Sequence, residues 1–471
     1  MTENNPLISS VKIIDATLRE GMQAPGVYLD AEQSIEIALM LFELGVETIE
    51  CGHPAVSRNE TARIRAVRDA LKDKDGTNVL CHSRANEKDI DAVASLGVEW
   101  IGIFMGLNHI SLSARLSNWS REQALLCVEN SVTLAVSSGL KVRFTIEDAS
   151  RTDVNEAIEA YRIALNVGAS RICFADTVGL LSPAQTTKWI AALRFEFPNV
   201  PIEVHFHDDR GLAIANTLAA LEAGATWVAT SVNGLGERCG IVDLMALLAN
   251  LEYMGIRKIH NPDLIQHLSR KVSAYSRSFI DDRRPVTGRN AFVHTSKLHQ
   301  RAQCGDHRAY EWLPPERVGR SHMLANRSPL RDVDVLTEPA VAISVSKLNY
   351  HQTVPGILWA MIDERLVNGC LQYCIVHPIS RLKNYDVEHV DTHVYDGDSL
   401  FLFIGEDEGL RGLKVELDLS GAIHIIESPA NLFLPAGLKH SYRIIDGQGF
   451  IMNHVFSSSY NSGLHKKICN K

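Results

Sequence analysis

Between Val11 and about Gly255 one unit recurs eight times: a short apolar run, a polar turn, then a helix with one apolar face. The runs end near Asp15, Glu50, His82, Phe104, Glu147, Ala175, His207 and Val232, and helical patterns such as Asp30 to Gly45 and Asp153 to Gly168 separate them. Strands that alternate with helices of this length build parallel βαβ units. Eight such units fit a closed (β/α)8 barrel, the TIM barrel, better than an open doubly wound sheet. Gly45, Gly97, Gly139, Gly168 and Gly224 each precede the next strand, where a helix C-terminus calls for glycine.

A barrel over residues 8–258 leaves nearly half of the 471-residue chain unassigned. From Asn261 to Arg320 the alternation stops and a polar, histidine-bearing stretch follows, including Asn290 to His294 and Leu298-His299. We read 259–338 as a helical linker subdomain that contributes to the active site. Residues 339–471 read as a small all-β domain after a helix over Asn349 to Cys370, with turns at Asp396-Gly397, Ser420-Gly421, Pro435 to Gly437 and Asp446-Gly447. Pro435-Ala-Gly-Leu-Lys-His440 resembles the second cupin signature, whereas Asp391-Thr-His-Val-Tyr395 offers an incomplete form of the first. A cupin-like barrel with a structural, oligomerising or ligand-sensing role is the expectation.

In a parallel barrel the polar residues at the C-terminal strand ends are the default catalytic set. Here they are Arg19 and Glu20, Glu50 with His53, His82 with Arg84, Arg143 with Thr145 and Glu147, Asp176 with Thr177, then His205 and His207. Alternate residues of a strand point the same way, so His205-Phe-His207 aims two imidazoles at one point. Alone, such a pair is weak evidence. Glu20, at the end of the first strand, supplies an oxygen, and two nitrogens with one carboxylate make a site for a divalent ion: zinc, manganese, magnesium or iron. Arg19 then sits beside the metal.

The net charge of −9 and the absence of a basic stripe argue against nucleic-acid and membrane-surface partners, and leave a small molecule as the default. Nine scattered cysteines without a Cys-x-x-Cys fit a reducing cytoplasm, and Met1 to Asn5 begins no leader-like segment. A soluble, cytoplasmic protein is expected.

The sequence resembles the homocitrate synthase and 2-isopropylmalate synthase family of metal-dependent Claisen-condensing enzymes over residues 8 to 320. The resemblance rests on Asp15-Ala-Thr-Leu-Arg19-Glu20-Gly21-x-Gln23, Arg143-Phe-Thr-Ile-Glu147-Asp148, Ala175-Asp-Thr177-Val-Gly179, His205-Phe-His207-Asp208 and Asn233-Gly234-Leu-Gly236-Glu-Arg238. Glu20, in place of the Asp usual in isopropylmalate synthases, and Gly240-Ile241 in place of their Gly-Asn lean toward homocitrate synthase. The resemblance implies an amino-acid-biosynthetic acyltransferase that condenses acetyl-CoA, or a related acyl-CoA, with a 2-oxo acid. It also implies Glu20, His205 and His207 as metal ligands, Gly234, Gly236 and Arg238 near the acyl-CoA, and a domain-swapped homodimer in which His299 and Tyr310 serve the neighbouring subunit. Met22, Asp208, Thr295 to Leu298 and Cys51 to Pro54 depart from the family pattern.

On this reading Arg19 stabilises the alkoxide, and His299, with Glu147 and Tyr310, takes a proton from the acyl-CoA methyl group. Thr177 meets the C1 carboxylate, Arg143 a second carboxylate, and Gln23, His82 and Thr145 complete the substrate contacts. Two other readings compete: a carbon–carbon lyase of the same superfamily acting on a hydroxyacyl-CoA, and a non-catalytic metabolite sensor.

Overall fold

The computed structural model describes residues 11–324, 340–343, 358–363, 372–380, 390–395 and 397–456. The chain divides into two compact units, Met1–Arg327 and Ser328–Lys471. Among the described residues no helix is long and apolar enough to cross a membrane.

In the first unit eight parallel strands close on themselves: β1 (Lys12–Asp15), β2 (Thr48–Glu50), β3 (Asn78–Arg84), β4 (Trp100–Gly106), β5 (Lys141–Glu147), β6 (Arg171–Asp176), β7 (Ile202–Phe206) and β8 (Trp227–Thr230). Pairing of β1 with both β2 and β8 makes the closure. The strands are buried on both faces, outward against helices and inward against one another, so they read as nearly continuous apolar runs. Capping boxes at Asp30/Gln33, Ser120/Gln123 and Ser182/Gln185 start three of the helices, and the five helix-stop glycines all carry positive φ.

The barrel interior departs from an apolar core. Ile14, Leu80 and Ala229 form one small buried cluster. Around it stand buried charges, among them Arg171, whose guanidinium lies 3.9 Å from the ring centre of Trp227 and 4.7 Å from that of Trp100. Cation–π contact on two faces compensates part of its desolvation.

Past β8, helix Pro262–Ser276 buries Leu264, Ile265, Leu268 and Val272 on one stripe. Ser269 on that stripe donates to Asn233 Oδ1 (2.6 Å), while Asn233 Nδ2 donates to the Ser269 carbonyl (2.8 Å), tying the loop after β8 to the helix. A second helix, Lys297–Gly305, carries His299.

The second unit contains two antiparallel sheets that share one core. Six strands lie in the order Val341–Ile343, Leu358–Ile362, Tyr373–Ile379, Gly449–Val455, Ser399–Gly405, Ala430–Leu434, and four in the order Val390–His393, His440–Gly447, Leu413–Leu419, Ala422–Glu427. The helix expected over Asn349 to Cys370 is corrected at its centre, where Leu358–Ile362 is a strand: Leu358 and Ala360 are buried while Trp359 and Met361 are exposed, a period of two. The rest of that span, and Asp396 of the first expected turn, lie outside the described residues. His393 stands opposite His440 in register, their ring centres 4.5 Å apart.

Candidate active site

Residues of one parity on the strands point into the barrel, and on β5, β6 and β7 that parity includes Arg143, Arg171 and Glu203. Arg143, 2% exposed, donates from Nη1 to Glu203 Oε1 (2.8 Å) and from Nη2 to Glu50 Oε1 (3.0 Å). Gly102 on the neighbouring strand makes room for it, since a Cβ there would fall 2.3 Å from Nη2. His82 Nδ1 meets Glu50 Oε1 at 2.9 Å, and its ring stacks on Phe104. The other Glu50 oxygen accepts from Arg19 Nη2 (3.0 Å). A ladder Glu203–Arg143–Glu50–Arg19 therefore climbs the barrel interior to its catalytic rim. Burial opposes ionisation of Glu50, but Arg19 and Arg143 outweigh it and hold the carboxyl well below its ordinary value.

At the rim, Glu20 follows Arg19 into the short turn Gly21–Gln23. His205 on β7 and His207, one residue past its end, bring their Nε2 atoms to 3.4 Å of each other, and His207 Nε2 lies 4.0 Å from Glu20 Oε1. The three ligand atoms fall within 4.8 Å of one another, and all three residues are buried. Arg19 Nη1 contacts Glu20 Oε2, and the buried Arg19 Nε has no hydrogen-bond partner.

The loop after β8 closes over this group. His207 bridges Ile241, Asp208 N donates to Gly240 O (3.0 Å), and Glu237 N donates to Glu20 Oε1 (3.2 Å). Gly236 permits this approach, since a Cβ there would stand 3.1 Å from Glu20 Cγ. Gly234 takes φ +62°, and its missing Cβ would press on Ile241 O at 2.9 Å. Arg238 is anchored by Asp209 (2.7 and 2.9 Å) and by the Thr177 carbonyl (2.6 Å).

The donor set fits a divalent cation. Burial opposes charge on Glu20, yet Arg19 and the two imidazoles bring its carboxyl down to about 2. Burial, reinforced by His207, pushes His205 down to about 3, and burial also lowers His207. All three ligands are thus already deprotonated near neutral pH, and a metal ion has few protons to displace. Divalent-metal affinity is therefore expected to stay nearly flat from pH 8 to pH 6, where ordinary imidazoles of pKa about 6.5 begin to lose theirs. Metal titrations at both pH values check this, and a drop of about fourfold or more, the mark of one imidazole of ordinary pKa titrating there, would count against it.

The remaining expected residues are distributed around these groups. Glu147 at the end of β5 pairs with Arg115 (2.5 Å), and its buried Oε2 has no hydrogen-bond partner. Thr177 Oγ1 accepts from Asp148 N (2.9 Å), which leaves its own O–H to donate. Thr145 is buried near the Cys173 thiol, whereas Gln23 is exposed. Both terminal amines of Arg143 are already engaged by carboxylates. His299 stacks on Tyr310 with ring centres 3.9 Å apart, and His294 lies 6.3 to 6.4 Å from both. The structure thus gathers the expected residues into a rim group around Glu20 and a separate linker group around Tyr310.

The profile of the HMGL-like family matches residues 10–272. The chain belongs to that family. Within it the chain falls with the homocitrate synthases: the enzyme of Saccharolobus solfataricus is 43% identical over 312 residues, which are 66% of this chain and 68% of the relative. The homocitrate synthase of Sulfurisphaera tokodaii is 42% identical over 312 residues, with the same shares. In fold, the chain is similar to the Bacillus subtilis HMG-CoA lyase, with a TM-score of 0.53 and 22% identity over 58% of this chain and 96% of that one. The rim group lies wholly inside the HMGL-like region, whereas His299 and Tyr310 lie beyond its end.

Of the interior ladder, Glu50 is among the strand-end residues expected from the sequence, without an assigned role, whereas buried Glu203 is not. Glu203 sits in the apolar run Val200 to Phe206 with the same parity as His205 and His207. An acid inside a strand otherwise apolar was the available signal.

Proposed function

We propose that this chain joins the methyl carbon of acetyl-CoA to the keto carbon of a dicarboxylic 2-oxo acid, with 2-oxoglutarate as the acceptor. It is an acyltransferase of the homocitrate synthase type. Homocitrate carries the combined carbon skeleton of acetate and 2-oxoglutarate, which makes that acid the first acceptor to test. The observation that carries the reading is the buried Glu20–His205–His207 group with Arg19 beside it.

A divalent ion held by Glu20, His205 and His207 would supply Lewis acidity to the keto oxygen of the acceptor. Arg19, fixed by Glu50, carries a buried Nε–H still to be used and takes up the negative charge that develops on that oxygen. His299 is the base that removes a proton from the acetyl methyl group, with Tyr310 stacked on it and Glu147 Oε2 available to hold the proton. The new carbon–carbon bond takes the methyl electron pair, the carbonyl π pair moves to oxygen, and that oxygen is protonated. Water then cleaves the thioester, releasing CoA thiol and a carboxylate. Thr177 holds the C1 carboxylate, His82 answers the distal one, Arg143 acts through Glu50 rather than on the substrate, Gln23 and Thr145 line the acceptor, and Gly234, Gly236 and Arg238 border the acyl-CoA.

The linker 259–338 completes the site from a second copy of the chain, so a domain-swapped homodimer is the working assembly. Its test is complementation: Arg19→Ala and His299→Ala chains, each inactive, are unfolded together and refolded. Random pairing should then restore about a quarter of wild-type activity, one intact site in half of the dimers. No recovery would place His299 in its own subunit's site.

Mass analysis of the product tests the reaction itself. Homocitrate from acetyl-CoA and 2-oxoglutarate is expected. Cleavage of a hydroxyacyl-CoA with no condensation would establish the lyase instead, and binding without turnover the sensor.

A further inference from the structure

Two buried charged groups of the barrel interior have no part in the mechanism, Glu203 on β7 and Arg171 on β6. Arg171 is the first residue of its strand, as Trp100 is of β4 and Trp227 of β8. All three therefore stand on the floor of the barrel, the face opposite the rim. The Arg171 guanidinium lies 3.9 Å from the ring centre of Trp227 and 4.7 Å from that of Trp100, and none of its nitrogens has a hydrogen-bond partner. Among the described residues the carboxylate it reaches is Glu203, with Oε2 at 3.0 Å from Arg171 Nε.

Glu203 is thus shared. Its Oε1 accepts from Arg143 Nη1 (2.8 Å), and the other amine of Arg143 reaches Glu50, whose second oxygen accepts from Arg19 Nη2 (3.0 Å). From floor to rim the charges run Arg171, Glu203, Arg143, Glu50, Arg19, and each carboxylate lies between two guanidinium groups. Well-packed apolar residues are often as stable as such a buried network, so stability alone gives it little reason to exist. What it adds is direction, because a guanidinium binds through a rigid fork of donors. If Glu203 lost its charge, Arg143 and Arg171 would be left facing each other in a low dielectric. Arg143 would then depend on Glu50 alone, the carboxylate that also holds Arg19.

We propose that Glu203 and Arg171 are positioning residues for Arg19: from the floor of the barrel they set, through Arg143 and Glu50, where its guanidinium stands. The inference rests on the acyltransferase reading, in which Arg19 takes up the charge that develops on the keto oxygen of the acceptor.

Glu203→Gln keeps the volume of the side chain and removes its charge. Its kcat is expected to fall about tenfold or more, the effect of moving a catalytic group by up to about 1 Å. KM for acetyl-CoA should stay within about twofold, since that substrate does not meet the ladder. Adding Arg171→Met removes one charge of the opposite sign, and the double variant should return to within about threefold of the wild-type kcat. Protein labelled with 15N at arginine Nε gives a second readout that needs no turnover. The signal missing from an Arg19→Lys protein belongs to Arg19; Glu203→Gln should shift it, and the double variant should bring it back toward its wild-type position. If Glu203→Gln does not fold, Arg171→Lys, which keeps the charge and gives up the fork, takes its place in both measurements with the same direction expected. An unmoved Arg19 signal, or an undiminished kcat beside a moved one, overturns the proposal and leaves the floor a purely structural network. If the wild-type chain condenses nothing, the acyltransferase reading falls, and the Arg19 signal alone decides the positioning.

Discussion

Replacing Glu20 by Gln should lower kcat about a thousandfold or more while leaving the thermal unfolding transition close to wild type. The substitution keeps the volume of the side chain and an oxygen for the Glu237 N–H (3.2 Å), so the loop after β8 retains its anchor. It removes the negative charge that offsets Arg19 and that makes the His205–His207 pair a site for a cation. Loss of several kcal/mol of Lewis-acid stabilisation corresponds to about three powers of ten or more in rate. Steady-state thiol release with added divalent metal, together with a circular-dichroism melt, measures both halves. Undiminished turnover in a folded Glu20→Gln protein would remove this residue from the metal centre.

The largest stability effect is expected at Arg143. Its guanidinium joins Glu50 and Glu203, each in the barrel interior, and it is held firmly protonated against its own burial by those two carboxylates. Arg143→Met leaves Glu203 with Arg171 (3.0 Å) and Glu50 with Arg19 as its one cation beside the His82 ring, inside a space that no longer balances its charge. Breaking a buried ion network by removing one partner costs about 3–5 kcal/mol. Activity should fall as well, because Glu50 orients Arg19. Urea denaturation followed by fluorescence gives the first number, and a variant within about 1 kcal/mol of wild type would mean that the ladder relaxes without penalty.

Much of this was legible in the sequence because a barrel converts position into orientation. Once the eight runs are recognised, the strand ends define a rim: His205 and His207 fall on it by parity, and Arg19 and Glu20 lie in the turn that follows the first strand. What sequence spacing does not carry is which strand-end groups satisfy one another. Arg143 looks like a free cation waiting for a carboxylate, but the fold brings Glu50 and Glu203, 93 and 60 residues away, onto its two amines. Those pairings depend on the stagger of the closed sheet, which no single strand encodes.

The C-terminal unit was less legible for a related reason. Around Leu358 to Ile362 the alternation is short, and alanine and methionine, good helix formers, occupy two of its five positions. Propensity favoured a helix, and pairing with Val341–Ile343 and Tyr373–Ile379 decided for a strand. The linker histidines show the opposite limit. His307 and His322 are 15 residues apart and carry no motif, and the turn through Glu311 and Pro315 brings their rings together.

Thiol release from acetyl-CoA by the full-length protein, across a panel of 2-oxo acids with and without a chelator, tests the central claim most directly. The expected release requires a divalent metal, is abolished by chelator and is fastest with 2-oxoglutarate. Release indifferent to chelator, or none with any 2-oxo acid, would contradict it.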